Sequence, residues 1–251
     1  MIFLLAALAQ TVAEPATPAL PYPKADIINC AVTGDADSLL CRAAEASRQN
    51  RFAESATLFE EAAAKMAVGQ ADRRDEALAA AGNMWIAAGQ PGKAAAALDK
   101  AIAGGGLGRI QLGQAHIDRA RAAEAQGDLK TARARVGEAA KTISQDPYLW
   151  YFSAALAVRE NDIPTAKSSI NRALAMVPDS PELLFEAGHI AQAAGEDAVA
   201  REYWSKTLKA DPNGASGAAA RRALALMEVP LTVTNEVAKL PNGDGEEGRQ
   251  N

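Results

Sequence analysis

The chain has 251 residues and a net charge of −5; 60 residues are alanine and only 5% are aromatic. That length supports one sizeable core or a repeat array, and alanine, the best helix former, lets helices approach closely. Evenly mixed charge sets nucleic acid aside as a partner, because that role needs concentrated Lys and Arg. The lack of period-two runs of β-branched and aromatic residues sets a sheet aside.

The chain opens with "MIFLLAALAQTVA", an apolar run too short to span a bilayer, followed by small residues at Thr11 and Ala13. Residues 1–13 read as a cleaved secretory signal, although no Lys or Arg precedes the run; the alternative is a frayed apolar N-terminus. Cleavage would leave no membrane span and an exported chain, periplasmic in a bacterial envelope. Residues 14–35 carry four prolines in "EPATPALPYPKAD" and read as an extended linker. Cys30 and Cys41 are the only cysteines. In an oxidising compartment they permit one disulfide tying the linker to the first helix, worth on the order of 2–3 kcal/mol; the alternative is two reduced, buried thiols.

From residue 36 the sequence repeats. At an offset of 34, Ala120, Ala154 and Gly188 align, as do Ala123, Ala157 and Ala191. The turn residues Gly127, Asn161 and Gly195 follow, then Ala132, Ala166 and Ala200, the bulky Val136, Ile170 and Trp204, the small Ala139, Ala173 and Thr207, and Ser144, Pro178 and Pro212. Allowing four extra residues near "GGGLGRI", the columns continue through Gly82, Trp85, Gly89, Ala94, Leu98 and Ala101. Five more near "QADRR" bring in Ala43, Ala46, Asn50, Ser55, Phe59 and Ala62. Five units result, at 36–69, 75–108, 113–146, 147–180 and 181–214.

Each unit predicts two helices. Asp146 and Ser180 cap first helices that start at Pro147 and Pro181, and Asn161 or Gly195 turns the chain into the second. Small residues mark where the paired helices touch; Trp150, Ile170, Leu184 and Trp204 fill the spaces between. Pro178 and Pro212 mark the seams between hairpins.

The period, the small columns, Ile170 and Trp204 in the second helices and the terminal prolines resemble the tetratricopeptide repeat family, over about 180 residues. The resemblance implies an all-α, right-handed superhelical array of antiparallel helix pairs, whose first helices line a concave groove for a peptide or protein segment. On that geometry the groove residues are Arg48, Asn83, Arg121, Tyr148, Tyr151, Arg159, Phe185, His189 and Gln192. Aromatic rings with Arg and amide donors suit an extended backbone; the alternative for Tyr148 and Tyr151 is packing between repeats. The family's clamp for a C-terminal carboxylate is not reproduced: only Asn83 sits suitably, while Ala79, Asp118 and Phe152 occupy other clamp places. Residues 215–228 are amphipathic and fit the capping helix such arrays need. Residues 229–251 turn polar and glycine-rich and read as a disordered tail.

Catalytic readings fare badly. "GGGLGR" at 104–109 follows no strand and falls where a junction needs slack, and "GQPGKA" at 89–94 lacks the other residues of a phosphate loop. His116 and His189 lie in different units without a nucleophile or ligand set, and His116 shares a packing column with Trp150 and Leu184. The expectation is a non-enzymatic binding scaffold with a protein or peptide partner, no metal and no cofactor. The alternative is a structural spacer in an envelope assembly, working through its convex face and ends.

Overall fold

The structure, a computed structural model, describes Cys30 and residues 33–228. The expected signal segment and tail lie outside the described residues, as does most of the linker. Those residues form eleven α-helices: α1 (Ala36–Arg48), α2 (Phe52–Lys65), α3 (Ala71–Ala87), α4 (Pro91–Gly104), α5 (Arg109–Ala125), α6 (Leu129–Ala140), α7 (Pro147–Arg159), α8 (Ile163–Met176), α9 (Pro181–Ala193), α10 (Asp197–Ala210) and α11 (Ala215–Glu228). A 3-10 turn at Val68–Gln70 precedes α3. Among the described residues there is no strand. The helices pack in sequential pairs, α1 with α2 through α9 with α10, and α11 closes against α10 and α9.

The turns between paired helices share one device. Asn50, Gly89, Gly127, Asn161 and Gly195 all have positive φ, between 57° and 78°. A residue in that left-handed conformation ends a helix, which is why the column accepts only Gly and Asn. The next amide then bonds back over five residues, as in Asp162 N–H to Ala157 O at 2.8 Å and Glu196 N–H to Ala191 O at 2.9 Å. Side chains restart the helices: Asp128 caps Thr131, Asp146 caps Tyr148, Asp162 caps Thr165 and Ser180 caps Leu183.

Packing between paired helices couples one small and one larger residue sixteen positions apart. Ala43 and Phe59 share the first core cluster, Ala120 and Val136 the second, Ala154 and Ile170 the third. In two pairs the small residue is glycine, and a Cβ on Gly82 or Gly188 would overlap Leu98 or the Trp204 indole. Trp204 is fully buried, and its Nε1 donates to Phe185 O at 3.2 Å. Cys30 and Cys41 are placed in a disulfide, Cα atoms 5.6 Å apart, tying Cys30 to α1.

One expectation is corrected. The stretch "GGGLGR" is not simply slack at a junction, and the extra residues there and near "QADRR" lengthen helices. Residues 71–74 and 109–112 add one turn to the starts of α3 and α5, which run 17 residues where α7 and α9 run 13. Two glycines at the end of α4 and just after it, Gly104 and Gly106, are tightly held, while Gly105 has open space around it. Asp75, fully buried on α3, accepts from Gly106 N–H at 2.9 Å and Arg74 Nε at 2.9 Å. A Cβ on Gly104 would strike that carboxylate, and one on Gly106 would strike the backbone of Ala71. These glycines permit close approach of α4's end to α3.

Candidate functional site

The nine residues expected to line a groove all lie on the first helices of the pairs, and the structure sorts them into three clusters and one outlier. The first cluster joins α3 to α5. Asn83 Nδ2 donates to Asp118 Oδ2 at 2.9 Å, and Arg121 Nη1 reaches Asp118 Oδ1 at 3.1 Å. Burial pushes the Asp118 carboxyl above its ordinary pKa, against the pull of Arg121 and Asn83. Asp118 therefore holds two of the expected groove donors, and the clamp place it occupies is internally satisfied.

The second cluster joins α5 to α7 through Arg159 Nη1 and Glu124 Oε1 at 2.6 Å. Polar links thus recur between successive first helices near the repeat distance, with Arg73 and Asp37 joining α3 to α1. Exposed pairs of this kind each contribute about 1 kcal/mol or less.

The third cluster is aromatic and lies on α7 and α9. The Tyr148 and Tyr151 rings stand 6.2 Å apart, both half-buried. Each packs against a core cluster while keeping exposed surface. Phe185 and His189 meet at a tilt with ring centres 4.3 Å apart, and His189 meets Trp204 edge to face at 5.6 Å. Burial lowers the His189 pKa, which keeps the ring neutral at pH 7. Gln192 is exposed near the end of α9. Arg48 stands apart, paired with Glu45 on its own helix.

Sequence reasoning missed two residues beside this cluster, Glu182 and Glu186 of α9. Both act electrostatically on Tyr151, and with burial they raise its phenol pKa. Burial alone raises the Glu186 carboxyl to about 7. The available signal was the 34-residue offset, which sets Glu182 in the column of Tyr148.

The residues set aside as catalytic remain scattered. His116 is buried among helices, as expected of a packing residue, with its pKa lowered by burial and then by Arg135. Its Nδ1 has no hydrogen-bond partner among the described residues, nor has Trp85 Nε1. Among the described residues no group of three or more His, Cys, Asp or Glu is placed to hold a metal ion. No helix there is long and apolar enough to cross a membrane.

No protein-family model and no curated protein matches this sequence. Solved structures do match the fold. PilW, described as a widely conserved type IV pilus biogenesis factor, aligns at a TM-score of 0.64 with 16% identity, covering 75% of this chain and 82% of its own. YrrB, described as a TPR protein with an unusual peptide-binding site, aligns at 0.56 with 16% identity, covering 75% and 93%. MamA from Desulfovibrio magneticus RS-1 aligns at 0.60 with 14% identity, covering 70% and 95%. The chain has the tetratricopeptide-repeat fold, a solenoid of antiparallel helix pairs.

Proposed function

We propose that this chain is a non-enzymatic interaction scaffold that binds a peptide or protein segment along the concave groove formed by its first helices. The supporting observation is the aromatic and charged face of α7 and α9, where Tyr148, Tyr151, Phe185 and His189 keep partial exposure beside charged side chains. Half-exposed aromatics on a rigid helix are effective binding anchors, because little entropy is lost when they are covered. Among structures with the same fold, YrrB is described as having an unusual peptide-binding site, which supports a groove ligand of that kind here. The test compares crosslinked partner capture by wild type, by Tyr151→Ala and by the paired change Asp118→Asn/Arg121→Gln, which avoids leaving a buried carboxylate without its partner. Loss of capture in both variants, with assembly intact, supports the groove. Unchanged capture favours work through the convex face and ends.

The same proposal places the protein outside the cytoplasm. The apolar segment at residues 1–13 has the length and small residues of a secretory signal, and a disulfide between Cys30 and Cys41 suits an oxidising compartment. N-terminal sequencing of the exported protein should begin near Glu14, and thiol labelling under denaturing, non-reducing conditions should find no free sulfhydryl. A mature chain beginning at Met1, or two labelled thiols, overturns this placement.

A further inference from the structure

Glu186 is an oddly placed carboxyl. It lies on α9, whose neighbour α7 presents Tyr148 and Tyr151. The residue is half-buried, and no hydrogen bond or ion pair within the described residues reaches its carboxyl. Its displaced pKa has burial as its only cause, so no cation of the described chain stands near enough to offset the charge. The neighbouring groups add to the imbalance. Glu182, one turn earlier on α9, acts on Tyr151 with the same sign. His189, one turn later, is neutral at pH 7. Arg159, the cation in the last turn of α7, is engaged with Glu124 on the far side.

The result is a negative field beside two tyrosine rings 6.2 Å apart, on the face assigned above to partner binding. Ring faces attract cations, and a largely desolvated carboxylate gains more from a cation than an exposed one does. We propose that Tyr148, Tyr151, Glu182 and Glu186 form a subsite for a cationic side chain, Lys or Arg, of the bound peptide. This rests on the groove reading and names the chemistry that the groove selects. Supplying the missing cation removes the cost of ionising Glu186 in its enclosed position, which gives a lysine or arginine an advantage over a neutral residue of the same length.

The test uses the full chain and a displayed library of random peptides selected on it. Hydrogen exchange locates each selected peptide on the first or second helices. Affinity is then measured for the selected sequence and for its copy with Lys replaced by norleucine or Arg by citrulline, on wild type and on Glu186→Gln. Thermal melting of Glu186→Gln verifies that the variant folds. The expected result is protection of α7 and α9, enrichment in Lys or Arg, and a loss of at least about tenfold in affinity for the neutral copy. A similar loss is expected for Glu186→Gln, with no further loss when both changes are combined. Peptides that protect the first helices but lose less than about twofold on either change overturn the subsite and leave the groove standing. Selection of peptides that protect only the second helices, or of none, overturns both.

Discussion

Hairpins α7–α8 and α9–α10 occupy the same columns one repeat apart, yet close over different contacts. The first sets Ala154 near Ile170 in one core cluster, while the second sets Gly188 directly under Trp204. All four residues lie inside the helix pairs, and the bulky member of each is almost wholly buried. The difference lies in where the volume sits. Isoleucine leaves room opposite for a methyl group, whereas the indole occupies that space. The pairing is conserved in kind within the chain, since Gly82 serves Leu98 and Ala120 serves Val136. What repeats is a small residue opposite a larger one, each pair close-packed in its own way.

Gly188→Ala tests this comparison with the largest expected effect. The added methyl overlaps the Trp204 indole, which is held by its bond to Phe185 O and has no exposed surface to move into. Overpacking should cost about 3 kcal/mol even after alanine's helix propensity returns roughly 1 kcal/mol. Ala154→Gly, the reciprocal change, should cost only about 1 kcal/mol. Adding Trp204→Ile to Gly188→Ala should recover part of the loss as a coupling energy. Denaturant unfolding of these three variants and of Trp204→Ile alone measures it. Equal costs at 154 and 188 would show that the two hairpins do not divide their volume as described.

Ala166→Leu comes next. Ala166 is fully buried on α8 in the third core cluster with Ala154 and Ile170. Three further carbons there should cost about 2 kcal/mol. A loss below about 0.5 kcal/mol would place position 166 at the surface and contradict the packing.

How much of this was legible in the sequence follows from what a column records. The small columns, the left-handed turn residues and the capping Asp and Ser are local requirements repeated at a fixed distance, so they stand out without a structure. The extra turns on α3 and α5 did not stand out. "QADRR" is polar and carries no apolar period, and Gly104 and Gly106 read as slack when close contacts with Asp75 and Ala71 demand them. Glu186 was illegible for another reason. On its own helix it looks like any solvated glutamate, and only the packing of the neighbouring helices, which brings Tyr151 of α7 near, encloses it. The first two clusters among the expected groove residues likewise depend on links 35 residues long, Asn83 to Asp118 and Glu124 to Arg159, which no local pattern announces.

The enclosure of Glu186 predicts a pH-dependent difference between the two hairpins. Its carboxyl titrates near 7 in the folded chain against an ordinary value of 4.5. A raised folded-state value means the stability it contributes is full below about pH 4.5 and is lost as pH rises through 7. Linkage sets an upper bound of about 3 kcal/mol, and with solvent screening at its partly exposed position Glu186→Gln should raise stability by about 2 kcal/mol at pH 8 and change it little at pH 4. Chemical denaturation at the two pH values checks the sign. A variant that destabilises at pH 8 would mean that the carboxylate has a cationic partner in the folded chain.

The smallest expected effect belongs to Lys167, adjacent to Ala166 but turned outward. Its Nζ pairs with Glu196, the residue before α10, and both side chains keep more than a third of their surface exposed. Such a pair contributes little, because water and salt screen it and two long side chains lose freedom in forming it. Lys167→Leu removes the pair and adds an apolar group at a half-exposed site, so stability should change by no more than about 0.5 kcal/mol. That difference should shrink further in about 1 M salt, where the wild-type pair is screened. Side chains at 166 and 167 point about 100° apart on a helix, so a one-residue shift of register would exchange their roles. A Lys167→Leu variant as damaged as Ala166→Leu would show that shift. The assignment of Tyr148, Tyr151 and Glu186 to one face rests on the same register and would fall with it.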